Sequence, residues 1–238
     1  MTTKTNVVGA DHVYAHGDVK LQGYVAYDEA AQGKRPVVLI VHQWTGLGEY
    51  EKARAGMLAE LGYLAFCVDI YGRGERAQNV EQAMAYATQY RADRGLMRER
   101  AQSALIEALT LPQADADKVA AIGYCFGGGV VLELARSGAK VDAAVSFHGN
   151  LDTPDPGDAQ QIKGSVLVCH GGADTNVVME DVVAFHQEME AAKVDYQLMI
   201  YAGAVHGFTH FNQPSRYNEK ADKRSWALMQ AFFDNVLK

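Results

Sequence analysis

Cysteine is scarce in this 238-residue chain: there are three, an odd number. A disulfide-stapled secreted scaffold would need more of them, in pairs. At least one thiol is therefore free within a monomer, and a reducing, cytoplasmic compartment is expected. Basic charge is also short. Lys and Arg number 22 against 29 Asp and Glu, for a formal net charge of −7, which disfavours nucleic acid and anionic membrane as partners. No apolar run approaches the roughly 18 residues of a membrane-spanning helix, so no membrane segment is expected. The opening Met1-Thr2-Thr3-Lys4-Thr5-Asn6 leads into no apolar core, which argues against a secretory signal. Repeats, low-complexity tracts and linkers are missing as well. What is present, 48% hydrophobic and 21% charged residues, suits a globular protein, and the length suits a single domain over residues 1–238.

The apolar residues fall in alternating strand-like and helix-like stretches. Val19 to Tyr27 alternates in character and predicts an early antiparallel strand. Val37-Val38-Leu39-Ile40-Val41 is a continuous apolar run of the kind found in buried parallel strands. Further strands are predicted at Tyr63 to Ile70, Val119 to Tyr124, Val141 to His148, Val166 to Cys169 and Gln197 to Tyr201. Helices are predicted from Glu49 to Leu61, over most of Val80 to Leu109 with a break near Gly95, and from Gly127 to Arg136. Two more are marked by the helically spaced stripes Val178, Val182, Phe185, Met189, Ala192 and Trp226, Met229, Phe233, Val236. Asp152 to Gly164 reads as a loop. A repeating β-α order implies an α/β class with a mostly parallel sheet and helices on both faces, and ligands then gather at the carboxyl ends of the strands.

Those strand ends carry the chemistry. Gly123-Tyr124-Cys125-Phe126-Gly127 has the G-x-C-x-G form of a nucleophile elbow, with Cys in place of Ser. Such a nucleophile sits on a tight turn, and the small residues Gly127, Gly128 and Gly129 let strand and helix approach. The helix start beside Cys125 favours thiolate. The competing reading is a buried cysteine before a turn that merely packs. Asp174 and His206 follow at the ends of later strands, so the order is nucleophile, acid, histidine, as in the α/β-hydrolase fold. His206 would take the thiol proton and later activate water, and Asp174 would fix its tautomer. An oxyanion hole needs backbone donors. The amide of Phe126 is one candidate, and the loop after Val41 offers the amide of Trp44 first and Gln43 second.

These segments together resemble the dienelactone hydrolase family: Val41-His42-Gln43-Trp44-Thr45-Gly46-Leu47, Asp69-Ile70-Tyr71-Gly72, Gly123-Tyr124-Cys125-Phe126-Gly127-Gly128 and Gly203-Ala204-Val205-His206-Gly207-Phe208. The likeness runs from about Leu21 to the C-terminus. It implies a three-layer α/β-hydrolase domain with a Cys125-Asp174-His206 triad, no cofactor and no metal. It also implies a small-molecule ester or lactone as substrate, in a monomer or small homo-oligomer. By the same resemblance Gln43, Tyr86 and His210 are the substrate-contact positions. Two of them depart from the family pattern. Gln43 stands where that branch has a Glu that meets the resting thiol, and His210 stands where it has an Arg that binds a substrate carboxylate. Four residues before Tyr86 lies Gln82, where an Arg would be expected. Cys125 is thus expected to rest as an ion pair with His206, and the family assignment is separable from dienelactone itself.

The nucleophile narrows the substrate independently. Thiolate leaves readily, so a tetrahedral adduct goes forward only when the alcohol part leaves readily too. Enol esters, enol lactones, aryl esters and thioesters qualify. A different class, a non-catalytic α/β-hydrolase-fold protein that binds a small molecule, is disfavoured because all three triad positions are filled. His206 and His210 have an H-x-x-x-H spacing, but Gly207 replaces the Glu of a zinc protease and the segment reads as a loop. Cys67 and Cys169 lie in apolar strands and read as inert core thiols. His42, His148 and His170 read as structural, and the Tyr86, Tyr90, Arg91, Arg94, Arg98 group reads as a solvated helix face.

Overall fold

The computed structural model describes residues 5–237. In chain order it contains β1 (Val7–His16), β2 (Val19–Asp28), β3 (Arg35–Val41), α1 (Glu49–Glu60), β4 (Leu64–Val68), α2 (Val80–Ala92), α3 (Arg94–Thr110) and β5 (Ala114–Tyr124). There follow α4 (Phe126–Arg136), β6 (Ala143–Phe147), β7 (Ser165–Gly171), α5 (Met179–Ala192), β8 (Tyr196–Tyr201) and α6 (Glu219–Val236). The eight strands are ordered β1-β2-β4-β3-β5-β6-β7-β8. The class is α/β, with a mostly parallel sheet between helices, as predicted. The chain divides within β5 into two compact units, the first ending at Ala121 and the second beginning at Ile122.

In the first unit β3 and β4 pair in parallel, and β2 pairs antiparallel with both β4 and β1. Val37 to Val41 and Leu64 to Val68 are completely buried. This is why both read as unbroken apolar runs rather than alternating ones: α1 and α3 both pack against β3 and β4, so these strands have little surface left for water. The sequence reading missed β1. Its residues are mostly exposed or half-exposed and include Asp11, His12 and His16, so no hydrophobic period marks it. It forms by hairpin pairing to β2 across Gly17-Asp18, with Gly17 at φ 56. That two-residue turn was the available signal. The long helical stretch breaks near Gly95 as predicted, at Asp93, whose side chain accepts the Leu96 N–H and caps α3. Tyr90 is buried and donates to the Tyr71 carbonyl at 3.2 Å, so it is not part of a solvated face.

In the second unit β6, β7 and β8 run parallel in consecutive pairs. Helix α4 packs on β6, and α6 on β6 and β7. A core of Leu132, Val166, Val168, Val182, Phe185 and Met189 lies among α4, β7 and α5. One buried polar cluster ties α4 to α5: Arg136 forms a two-point bond to Glu188 (2.8 and 2.7 Å) and reaches Glu133 at 3.1 Å and the Leu151 carbonyl at 3.0 Å. Asp152 to Gly164 is a loop except for one short 3₁₀ turn at Pro156–Gln161. Among the described residues no helix is long and apolar enough to cross a membrane.

Candidate active site

The second unit brings Cys125, His206 and Asp174 together. Strand β5 ends at Tyr124, and Cys125 takes up φ 55, ψ −116 before α4 starts at Phe126. A non-glycine residue held there costs on the order of 1–3 kcal/mol, so its surroundings must enforce it. The Cys125 N–H is shared between the Phe147 carbonyl (3.1 Å) and His148 Nδ1 (3.2 Å), and its carbonyl accepts the Gly128 N–H at 3.0 Å. The neighbouring glycines explain why the sequence can make this turn. A Cβ on Gly123 would stand 2.0 Å from the Gly127 oxygen, and one on Gly128 would stand 2.5 Å from Ser146 Oγ.

Asp174 lies in the turn after β7, buried, with its Oδ1 accepting the N–H groups of Asn176 (2.8 Å) and Val177 (3.1 Å). Its Oδ2 accepts from His206 Nδ1 at 2.9 Å. That bond leaves His206 Nε2 facing Cys125 Sγ, 3.1 Å away. Burial raises the Asp174 pKa, but the His206 bond and the two backbone donors outweigh it and hold the carboxyl below its ordinary value. Burial likewise works against a charged His206, yet the bonds to Asp174 and Cys125 raise its pKa to about 9. The second unit therefore holds a proton acceptor beside a thiol, backed by a fixed carboxylate. The two other cysteines are buried, with burial pushing Cys67 well up and Cys169 to about 12. Both lie within strands, Cys67 in β4 and Cys169 in β7, as predicted.

The remaining predicted positions behave differently. Phe126 is the first residue of α4, so its amide sits at the helix start next to Cys125. In the first unit, the loop after β3 is organised from below by Glu51, a residue the sequence reading missed. Glu51 is buried, and its Oε1 accepts the Gln43 N–H (3.2 Å) while Oε2 accepts the Gly48 N–H (2.9 Å). Its position three residues into α1 after Gly48, reaching back to the Gly48 amide, was the available cue. The Gln43 amide is thus already used, whereas the Trp44 amide makes no hydrogen bond to another described residue. The Trp44 carbonyl accepts from Tyr71 Oη at 3.0 Å, which fixes the orientation of the peptide that follows it. His42 bridges the Gln43 carbonyl and the Ile70 N–H, and burial lowers its pKa to about 4, so it is a neutral structural residue. Tyr86 is bound through its hydroxyl to Glu75 at 2.7 Å, and His210 sits half-buried in the turn after His206 with its N–H on the Gly207 carbonyl. That turn is no helix, so His206 and His210 do not share a helical face. Among the described residues no group of three potential metal ligands gathers.

The family model described as "Dienelactone hydrolase family" matches residues 21–237. The chain belongs to this family. Within it, the chain is 36% identical to the solved structure m3DLH, with a TM-score of 0.93 over 98% of this chain and 99% of that one. A dienelactone hydrolase-like promiscuous phosphotriesterase from metagenomic libraries is 38% identical, with a TM-score of 0.92 and the same coverage. A Synechocystis protein named "Putative carboxymethylenebutenolidase" is 28% identical over 236 residues, covering 93% of this chain and 94% of its own. Membership makes the chain a hydrolase of this family, and the neighbours share its α/β-hydrolase architecture.

Proposed function

We propose that the protein hydrolyses activated esters or enol-lactones through a thioester on Cys125. The observation that carries this reading is the continuous chain Sγ···Nε2 at 3.1 Å and Nδ1···Oδ2 at 2.9 Å. His206 takes the Cys125 proton, and the resulting imidazolium is stabilised by Asp174, whose low pKa keeps it ionised. The thiolate attacks the ester carbonyl. Negative charge develops on the carbonyl oxygen and is met by the Phe126 amide at the α4 start, where the helix dipole adds to it. The Trp44 amide is the second donor assigned on the sequence. Collapse expels the alkoxide or enolate, which takes the proton from His206. Water, deprotonated by His206, then opens the thioester and releases the acid and Cys125.

Gln43 is neutral and held by Glu51, so it supplies no carboxylate to the thiol. Activation rests on His206, whose pKa, raised to about 9 by Asp174 and Cys125, favours the imidazolium once it holds the thiol proton. Substrate contact by Gln43, Tyr86 and His210 is part of the proposal. A second substrate class, aryl phosphotriesters, is favoured by the 38% identical relative named for that activity. There too the aryl oxide is a good leaving group for displacement by thiolate. The test is turnover of p-nitrophenyl acetate, an enol-lactone with and without a carboxylate, and an aryl phosphotriester by wild type and Cys125→Ala. Loss of all turnover with Cys125→Ala, and an acyl adduct on Cys125 by mass spectrometry, are expected. Undiminished turnover by Cys125→Ala overturns the mechanism, and wild type that binds these compounds without turnover returns the non-catalytic reading.

A further inference from the structure

His148 follows β6 with its backbone at φ 41, in the left-handed region that β-rich sequence rarely enters without glycine. Its side chain is completely buried. Two features hold it there. Its N–H is bonded to the Cys169 carbonyl at 2.8 Å. The next residue, Gly149, is pressed against the first turn of α4, where a Cβ would lie 2.5 Å from Gly128 Cα. The imidazole spans two loops. Nδ1 accepts the Cys125 N–H at 3.2 Å, and Nε2 lies 2.8 Å from Thr209 Oγ1, three residues after His206. Because a backbone N–H occupies the Nδ1 lone pair, the ring proton is on Nε2 and donates to Thr209. The ring also meets His206 edge-on, at 5.4 Å between centroids, and Phe208 at 5.2 Å.

We infer that His148 is a positioning residue that joins the nucleophile elbow to the histidine loop and sets the Cys125–His206 separation. The inference rests on the reading of Cys125 as nucleophile. One end of the imidazole fixes the peptide that carries Cys125 in its strained conformation. The other end fixes the segment that carries His206. Without the bridge, each loop relaxes by itself, and the thiolate loses the short contact to imidazolium that stabilises it. The effect is therefore on thiolate formation and on the chemical step, not on substrate binding.

Four variants of the full chain test this: His148→Phe, which keeps a ring and removes both polar ends; His148→Asn, which tolerates the left-handed backbone and offers an oxygen near the place of Nδ1; Thr209→Val, which removes the far partner; and Cys125→Ala. The readouts are the pH profile of iodoacetamide alkylation followed on the Cys125 peptide, kcat and KM for p-nitrophenyl acetate, and thermal melting. His148→Phe is expected to raise the alkylation midpoint by about one pH unit and to lower kcat roughly tenfold, with KM within about twofold. Thr209→Val moves the midpoint the same way by less, and His148→Asn recovers part of the loss. If His148→Phe does not fold, Thr209→Val and His148→Asn decide. An unmoved midpoint and kcat in folded His148→Phe, or in Thr209→Val, overturns the inference, as does a His148→Asn variant no better than His148→Phe. With Cys125→Ala inactive, such a failure concerns His148 alone; with Cys125→Ala active, the nucleophile reading falls first and this inference with it.

Discussion

Replacing Asp174 by Asn changes one atom and should disable the site by a route that the structure specifies. Asp174 Oδ1 accepts two backbone N–H groups, from Asn176 at 2.8 Å and Val177 at 3.1 Å. An amide NH₂ cannot accept them, so the oxygen of Asn stays on that side and its NH₂ turns to His206. His206 Nδ1 must then be the acceptor, which places the ring proton on Nε2, the atom 3.1 Å from Cys125 Sγ. In that tautomer His206 cannot take the thiol proton. The loss of charge stabilisation adds to this. Despite burial, the bonds and charges of Asp174 and Cys125 together raise His206 from 6.5 to about 9, so the whole shift, roughly 3 kcal/mol or a few hundredfold on forming the imidazolium, is the upper bound of the Asp174 share. With the tautomer effect included, kcat/KM should fall by on the order of 10³-fold or more. Esterase kinetics and the alkylation profile of the Cys125 peptide measure this, since Cys67 and Cys169 are buried with raised pKa values and contribute little. The alkylation midpoint should move up to about 8.5, the value of an ordinary thiol. A folded Asp174→Asn protein that keeps its midpoint and loses less than about tenfold in kcat/KM would refute the reasoning.

His206 has a folded pKa above its unfolded value, so its contribution to stability is complete below pH 6.5 and is lost as pH rises through about 9. The stability gap between wild type and His206→Gln in urea unfolding should therefore narrow between pH 6 and pH 10, and a gap that is constant across that range contradicts the ion pair. Glu188→Ala leaves buried Arg136 with only Glu133 and a carbonyl, which should cost roughly 3 kcal/mol and lower the melting temperature by about 6–12 °C. Gly128→Ala places a methyl 2.5 Å from Ser146 Oγ and 2.7 Å from Gly149 Cα, so it should destabilise by about 1–3 kcal/mol and reduce esterase activity more than the loss of folded protein explains. A fully active, equally stable Gly128→Ala protein would mean that the elbow does not depend on this approach.

Much of the site was legible because its chemistry is written in local pattern. The glycines around Cys125 mark a backbone that must turn where no side chain fits, and Asp174 and His206 stand at the ends of runs whose apolar character marks them as strands. The core strands β3, β4 and β7 were legible for the same reason: strands covered on both faces are apolar throughout. Strand β1 was not, because it lies at the sheet margin with few buried residues and forms by pairing to β2 rather than by burial. Tyr90 misled because its polar neighbours Gln89 and Arg91 mask the short buried stripe Ala83, Ala87, Tyr90 on α2, where Tyr90 stacks on Tyr71 and donates to its carbonyl.

Residue type and order along the chain were enough for the α/β class, the family and the three side chains proposed to react. Which atoms meet was left to the folded chain. It put His206 Nε2 on Cys125 Sγ, placed the Gln43 amide on Glu51, and stood His148 between the Cys125 amide and Thr209. These are contacts across 81, 8, 23 and 61 residues of chain. Hydrogen bonds act over about 3 Å, so which partners pair at such separations is settled only when the strands have brought their ends together.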